Sequence, residues 1–369
     1  MPGSFTFHQP VKIVFGNGRV QQIRDFIPEK VKRILLVSEK NLAKYTSAVD
    51  IVTDQLHGID VLHFLDVEEN PSFETVEQAR IIAGEHDCQL VIGIGGGSPM
   101  DTAKGVAMCA TNRESLRDLI NMDDLPAEPL PVICIPTTSG TGSEVTPYAV
   151  FTDRNSRKKC GYANAKIFPQ VALVDPELTY TVPKPVIINT GMDALTHSIE
   201  AFLSADAFPM NDIFAIESIQ LVLKNLKQAV IKDNEAMNRM AYASMLGGIA
   251  ITHSGTILLH IMGYPLTVYQ SIPHGKANAI LLPAFLRFMR EHSWVKEKVR
   301  FIDNMFIEAG GVEQFVNDLG ISTRLSSYDI REEDIDKFVE KVIVKSDVKL
   351  TPARISKMEI AKIYRDAGC

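Results

Sequence analysis

The segment IGIGGGSPMD (residues 92–101) indicates the fold class of this chain. Its apolar residues predict a buried strand, which runs into three consecutive glycines and then into a helix expected to begin near Pro99. Glycine lets the backbone approach a ligand closely, and the first turn of a helix offers N–H groups to an anion. We therefore expect a phosphate-binding turn. Since the spacing differs from G-x-G-x-x-G, the alternative of a tight turn without a ligand stays open.

Outward from this segment, strand-like and helix-like patterns alternate through the first half of the chain. The predicted strands are residues 11–16, 33–38, 60–65, 89–98, 131–138 and 170–175. Continuous apolar strands that alternate with helices predict a mostly parallel sheet covered on both faces. After about residue 178 only helical patterns follow, over 184–205, 210–231, 234–253, 255–264, 275–292, 296–309, 311–320, 331–345 and 355–367. The sequence thus predicts an α/β dinucleotide-binding domain (1–178) and an all-α metal-binding domain (179–369), with the break near TVPKP (181–185).

Composition excludes several classes of protein. The 369 residues can form two hydrophobic cores, and a net charge of −7 argues against a nucleic-acid partner. No run of about 18 apolar residues predicts a membrane span, and the first residues do not resemble a signal peptide. The five cysteines include no C-x-x-C pair and are expected to be reduced and mostly buried, as in a cytoplasmic protein. They are Cys88, Cys109, Cys134, Cys160 and Cys369.

A second segment rich in glycine and hydroxyl residues, IPTTSGTGSEVTP (135–147), also leaves a predicted strand. Two such loops at the carboxyl ends of parallel strands suit a dinucleotide that lies across the sheet edge. Glu39 directly follows the predicted strand RILLVS (33–38), where a carboxylate can accept hydrogen bonds from an adenosine ribose and repel a 2′-phosphate. This favours NAD, with NADP as the alternative. Glu39 could otherwise simply begin the next helix.

Four side chains in the second half are candidate metal ligands. Asp193 and His197 are four residues apart in GMDALTHSIEAF and would lie on one face of a helix. His260 and His274 flank a segment in which prolines are expected to break any continuous helix. Imidazole and carboxylate donors suit Zn, Fe, Ni or Mn. The alternative is an ordinary polar pair, but the apolar neighbours of His260 and His274 favour a site, since buried polar groups need partners.

Read together, these motifs resemble the iron-containing (group III) alcohol dehydrogenases. The matching segments are GGGSPMDTAK (95–104), PTTSGTGSEVT (136–146), VDPEL (174–178), TGMDALTHSIEAF (190–202) and IPHGKANAILLP (272–283). The resemblance implies a catalytic metal, usually Fe(II) and sometimes Zn, held by Asp193, His197, His260 and His274. It also implies cofactor contacts at Asn70, Gly95, Gly96, Gly97, Ser98, Asp101, Thr137, Thr138, Thr141, Lys159 and Leu178.

The chain departs from the family pattern beside the metal ligands. Tyr264 stands where many members have a second histidine, so we expect it to pack beside the nicotinamide and shape the pocket. His253 lies seven residues before His260 and would face the same way on a continuous helix. It is expected to line the cavity or, alternatively, to lie partly exposed at a helix junction.

The function implied by the resemblance is an NAD(P)-linked alcohol dehydrogenase or aldehyde reductase. It would act on small alcohols, diols or hydroxy-aldehydes, with hydride transfer from a metal-bound alkoxide. The alternatives are a glycerol dehydrogenase-like enzyme, a hydroxyacid–oxoacid transhydrogenase and a dehydroquinate synthase-like lyase. The apolar sequence around the ligands, with Lys276 as the only nearby base, favours a small, weakly polar substrate. A non-catalytic sensor would lack a ligand or the glycine turn, and both are present. A homo-oligomer is also expected.

Overall fold

The computed structural model describes residues 4–156 and 158–368, which form two compact units. One unit comprises His8–Pro183, and the other comprises the chain from Lys184 onward together with residues 4–7. The boundary between Pro183 and Lys184 lies within the segment TVPKP (181–185) and after the predicted limit at residue 178, and the first described residues belong to the helical unit.

The α/β unit contains a six-stranded sheet in which every pair of neighbouring strands is parallel. Its strands are β1 (Lys12–Phe15), β2 (Arg33–Val37), β3 (Asp60–Phe64), β4 (Leu90–Gly95), β5 (Val132–Pro136) and β8 (Val171–Val174). Their order across the sheet is β1-β8-β5-β4-β2-β3. The predicted parallel sheet is therefore confirmed, and all six predicted strands form it.

Helices cover both faces of this sheet. The α-helices are α1 (Ala48–Gln55), α2 (Phe73–Glu85), α3 (Gly97–Thr111) and α4 (Leu116–Leu119), and the predicted helix after β1 is a 3-10 helix, Arg19–Phe26. Side chains of β2 alternate between the two faces, with Leu35 and Val37 in one hydrophobic cluster and Ile34 and Leu36 in the other. Both faces of the strand are thus buried, as expected for a parallel sheet covered on each side.

An antiparallel hairpin that the sequence patterns did not predict follows β5. Its strands are β6 (Tyr148–Asp153) and β7 (Lys158–Ala163). In β6 buried and partly buried residues alternate, whereas half of the residues of β7 are exposed and the strand begins with two lysines. A strand with so little apolar content has a weak sequence signal.

The second unit is helical. Its helices are α5 (Lys184–Leu203), α6 (Pro209–Val230), α7 (Asn234–Ser254), α8 (Leu258–Gln270), α9 (His274–His292), α10 (Lys296–Met305), α11 (Val312–Asp318), α12 (Glu332–Val342) and α13 (Lys357–Asp366). Among the described residues no strand follows β8, so the predicted change from α/β to all-α organisation is confirmed.

One expectation about helix α8 is wrong, because Pro265 lies inside this helix and does not end it. A proline within a helix removes one N–H donor and crowds the preceding turn, at a cost of about 3 kcal/mol or more. Helix α8 is nevertheless largely buried, and the hydroxyl of Tyr364 donates to the carbonyl of Met262 over 2.7 Å. Packing and this hydrogen bond keep the segment helical. Pro273, in contrast, directly precedes α9 as expected.

Two further expectations concern the environment of the chain. Among the described residues no single helix is long and apolar enough to cross a membrane, although helices α7 and α8, taken together as a bent pair, meet the same limits. Cys88, Cys109 and Cys134 are buried and Cys160 is partly buried, and no disulfide joins any two of these four cysteines. Cys369 lies outside the described residues.

Candidate functional site

Three helices of the second unit bring the candidate metal ligands together. Asp193 lies on α5, His260 in the first turn of α8, and His274 at the first position of α9. The Asp193 Oδ1 atom is 3.5 Å from His260 Nε2 and 3.9 Å from His274 Nε2. One ligand atom from each of these residues lies within 4.8 Å of the others.

Close packing of α9 against α5 makes this approach geometrically feasible. A Cβ atom at Gly275 would lie 2.0 Å from the carbonyl oxygen of Asn189, so only glycine fits there. The backbone N–H of Lys276 also donates to the Asn189 side-chain oxygen over 2.8 Å. Together these contacts hold the first turn of α9, and with it His274, against the helix that carries Asp193.

The donor set fits a divalent transition metal. In a tetrahedral site with metal–nitrogen and metal–oxygen bonds of 2.0–2.1 Å, neighbouring donor atoms are about 3.4 Å apart. The two distances from Asp193 are close to that spacing. Among the described residues neither Asp193 Oδ1 nor His260 Nε2 makes a hydrogen bond, although both are buried. Buried polar atoms normally have a partner, and a metal ion would supply one to both.

His197 lies beside this group but not within the set of three. Its Nδ1 atom is 3.9 Å from Asp193 Oδ2, and its ring stacks on that of His260 with centroids 4.4 Å apart. The i,i+4 relation predicted from the sequence is therefore present on α5. His274 is the most accessible member, with 23% of its side chain exposed, so the group opens towards solvent on the side of His274.

The charges of the cluster are strongly coupled. Burial by itself would raise the pKa of Asp193, but the nearby imidazoles, His197 first among them, hold that pKa well below its ordinary value. Burial would lower the pKa of His260, whereas the carboxylates of Glu200 and Asp193 raise it to about 9. The site therefore favours an ionised carboxylate and attracts positive charge, which is the electrostatic requirement of a cation site.

Glu200 is a site residue that the sequence reasoning missed. Its side chain is fully buried and contacts the His260 Nδ1 atom, opposite the nitrogen that faces Asp193. A signal was available, since Asp193, His197 and Glu200 are spaced i, i+4 and i+7 and so share one face of α5. The sequence reasoning looked for residues that bind the metal directly, and Glu200 instead binds one of those residues, His260.

Tyr264 and His253, the two residues expected near the pocket, lie in different surroundings. The ring of Tyr264 stacks against His274 with centroids 5.3 Å apart, next to the candidate ligands. The ring of His253, near the end of α7, stacks on Phe7 at 4.2 Å and meets Phe208 edge-on at 6.1 Å. Tyr264 is thus in a position to shape the site, whereas the contacts of His253 are with an aromatic cluster.

In the α/β unit the two glycine-containing loops pack against each other. Helix α3 begins at Gly97, two residues before the predicted start, and no side chain caps it. A Cβ atom at Gly97 would approach the Thr141 side chain to 2.8 Å. The Thr137 N–H donates to the Gly95 carbonyl over 2.9 Å, and the Asn70 N–H donates to Ser98 Oγ over 3.1 Å. Three predicted cofactor segments therefore converge at the start of α3.

Asp101 and Lys104, on α3, form hydrogen bonds with the second glycine-containing loop and with the strand that follows it. The Lys104 ammonium group is fully buried and donates to the carbonyls of Ser143, Thr146 and Tyr148 at 2.7, 3.0 and 2.7 Å. The Asp101 carboxylate accepts from Ser143 Oγ at 2.7 Å and from the N–H of Val150 at 2.9 Å. Burial raises the pKa of Asp101 and lowers that of Lys104, while the opposite charge of each counters this effect on the other.

The remaining predicted cofactor residues lie at other points of the unit. Glu39 follows β2 and is partly buried, and burial together with the nearby Glu69 raises the pKa of Glu39. Thr138 lies beside Gly96, whose Cβ position would be 3.4 Å from the threonine hydroxyl. Leu178 is buried and lines a cavity of about 340 Å³, and Lys159 lies on β7.

Comparison with known proteins gives matches over both units. Residues 10–176 match the family model described as iron-containing alcohol dehydrogenase, and residues 187–368 match that of the C-terminal region of the same family. A 1,3-propanediol dehydrogenase from Citrobacter freundii is 33% identical over 356 residues, which cover 91% of each chain.

Solved structures agree with these sequence matches. An iron-containing alcohol dehydrogenase from Thermotoga maritima has a TM-score of 0.92 and 36% identity, with 99% of each chain covered. A sulfoacetaldehyde reductase from Bifidobacterium kashiwanohense, solved in complex with NAD+, has a TM-score of 0.90 and 32% identity, with 98% of each chain covered.

Proposed function

Because the chain belongs to the iron-containing alcohol dehydrogenase family, we propose that it is an NAD-linked, metal-dependent dehydrogenase of small alcohols. It is an oxidoreductase acting on alcohol and aldehyde groups, as its relatives are. The metal site, the choice of nucleotide and the substrate class form the proposal.

The observation that carries the proposal is the convergence of Asp193, His260 and His274, with one donor atom of each within 4.8 Å of the others. In the proposed site these residues and His197 hold Fe(II), with Zn as the alternative metal. A bound metal of this kind supplies Lewis acidity, which polarises the oxygen of an alcohol or aldehyde. A nicotinamide cofactor, when bound, would supply the acceptor or the donor of hydride for the substrate carbon.

The side chains around the ligands complete the chemistry. Asp193 contributes the single negative charge of the four ligands, so the site keeps net positive charge for a substrate oxygen that becomes more negative. Leu258 and Ile261, which lie near His260 in the sequence of α8, are both buried, so the segment that carries this ligand is apolar. Tyr264 lies against the most accessible ligand, His274, and would limit the size of the substrate there.

The nucleotide is proposed to lie along the carboxyl edge of the parallel sheet. The segments that support this placement are Gly95 to Ser98, Asn70, and the loop from Thr137 to Thr141, which pack together at the uncapped start of α3. Backbone N–H groups at a helix N-terminus favour pyrophosphate. Glu39, at the end of β2, would accept hydrogen bonds from the adenosine ribose and so favour NAD over NADP. Leu178 and Lys159 are proposed to contact the cofactor near its nicotinamide half. The chain is also proposed to form a homo-oligomer.

The test is a dehydrogenase assay of protein loaded with Fe(II) or Zn against short alcohols, diols and hydroxy acids, with NAD and NADP. We expect alcohol-dependent formation of NADH, aldehyde-dependent oxidation of NADH, and loss of both after chelation. If a full panel gave no turnover with either nucleotide while metal was bound at one ion per chain, the proposed function would be wrong.

A further inference from the structure

The buried carboxylate of Glu200 makes contacts that determine how His260 can act. One oxygen, Oε1, accepts from the backbone N–H groups of Ile257 and His260, at 2.8 and 3.2 Å. The other oxygen, Oε2, contacts the Nδ1 atom of the His260 ring. A single side chain of α5 thus binds both the backbone and the side chain at the beginning of α8.

The backbone contacts fix the position of the helix. Ile257 is the residue before α8, and its own side chain makes no capping hydrogen bond. The first N–H groups of a helix lack partners within the helix, and a carboxylate there is also favoured by the helix dipole. Glu200 therefore caps α8 from a neighbouring helix, which fixes His260 relative to Asp193 on α5.

The side-chain contact fixes the proton of the ring. An ionised carboxylate only accepts hydrogen bonds, so the Nδ1 atom that faces it must carry a proton. In a neutral imidazole the other nitrogen, Nε2, then presents a lone pair, and it is Nε2 that faces Asp193 Oδ1 at 3.5 Å. A metal-ligating histidine typically donates its second N–H to a carboxylate or carbonyl in this way.

We propose that Glu200 is the positioning residue of the metal site: it keeps a proton on His260 Nδ1, so that Nε2, which faces Asp193, is the nitrogen that gives up its proton to bind the metal. This inference rests on the proposed metal site and adds to it a residue outside the ligand set. Its consequence is that exchanging this carboxylate for an amide of the same shape would disrupt the site without removing any packing.

Glu200→Gln is the informative substitution. Its amide oxygen is needed by the two backbone N–H groups, so its NH2 group faces Nδ1 and donates to it. The ring proton is then placed on Nε2, where it blocks metal ligation. Glu217→Gln is the matched control, since Glu217 is an exposed glutamate on α6 and the change removes the same charge.

The experiment measures zinc affinity and histidine protonation on native, Glu200→Gln and Glu217→Gln protein. We expect zinc affinity to fall by about ten- to a hundredfold in Glu200→Gln and to stay unchanged in Glu217→Gln. In long-range ¹H–¹⁵N spectra of zinc-loaded native protein, His260 should show a protonated Nδ1 and a zinc-bound Nε2. In Glu200→Gln its proton should move to Nε2.

Several results would overturn the inference. Equal zinc affinity in Glu200→Gln and native protein would leave the metal site standing and remove the role of Glu200. Weaker binding with an unchanged Nδ1 proton would assign the effect to charge alone. If Glu200→Gln did not fold, the native spectrum would decide, because a zinc-bound Nδ1 contradicts the proposal. Absence of zinc binding by native protein would overturn the metal site itself, whatever the outcome of the dehydrogenase assay.

Discussion

At the scale of single residues, Tyr264 is the departure with the clearest consequence. It stacks on His274, yet a phenol with a pKa of about 10 exchanges protons poorly near neutral pH unless its surroundings lower that pKa. We predict that Tyr264→Phe keeps kcat within a few-fold of native, whereas Tyr264→Ala raises KM for the alcohol. Steady-state kinetics on metal-loaded protein measure both. A loss of kcat of about a hundredfold in the Phe variant would show that the hydroxyl transfers a proton.

Glu39 carries the prediction on cofactor choice. Its carboxylate would oppose the 2′-phosphate of NADP, so Glu39→Gly should lower the ratio of kcat/KM for NAD to that for NADP by tenfold or more. Glu39→Gln, which removes the charge but keeps hydrogen-bonding capacity, should give an intermediate ratio. A native enzyme that uses NADP as well as NAD would contradict this assignment.

The candidate metal ligands could be predicted from the sequence, but the residues that form hydrogen bonds with them could not. The spacing of Asp193 and His197 and the apolar flanks of His260 and His274 predicted side chains that the fold brings close together. The spacing of Glu200 places it on the same face of α5 as Asp193 and His197, but that spacing does not show that this face meets the first turn of α8. Asp101 differs from Glu200, because the resemblance did name it, as a cofactor contact. In the structure its two carboxylate oxygens accept hydrogen bonds from the Ser143 hydroxyl and the Val150 N–H.

At the scale of elements, the buried ammonium group of Lys104 stabilises the conformation of the second glycine-containing loop by donating to its backbone carbonyls. Lys104→Met removes the donor to three backbone carbonyls and the positive charge that counters the effect of burial on Asp101. A buried polar group left without its hydrogen-bond partner costs about 1–3 kcal/mol, so we expect a lower free energy of unfolding and weaker NAD binding.

Urea denaturation and NAD titration test this prediction. Lys30→Met is the control, because Lys30 is an exposed lysine in a turn of the same unit. An unfolding midpoint in Lys104→Met as high as in Lys30→Met would show that the loop does not depend on the buried ammonium group.

Strands and helices with a strong hydrophobic pattern could be predicted from the sequence. Elements that form only because of contacts with other parts of the fold could not. The six apolar strands of the parallel sheet follow from their sequences. Strand β7, KKCGYA, has little apolar content and forms by pairing with β6. Helix α8 continues through Pro265 because burial and the hydrogen bond from Tyr364 outweigh the helix-breaking tendency of proline.

At the scale of the whole molecule, the proposed metal would join α5 to the consecutive helices α8 and α9, which follow α5 only after helices α6 and α7. A ligand that binds only the folded state stabilises it, by about 2.7 kcal/mol at a concentration a hundred times its Kd. We therefore predict that saturating zinc raises the thermal midpoint of native protein. The midpoint should not rise in His274→Ala. An equal rise in both proteins would place the stabilising ion elsewhere.

Metal content of purified protein tests the central claim most directly. Native protein, His274→Ala and His292→Ala are loaded with Fe(II) or Zn, freed of unbound metal by gel filtration, and measured by mass spectrometry. His292 lies exposed at the other end of α9 and is the matched control. We predict one ion per chain in native protein and His292→Ala, and loss of tightly bound metal in His274→Ala. One ion per chain in His274→Ala would contradict the account.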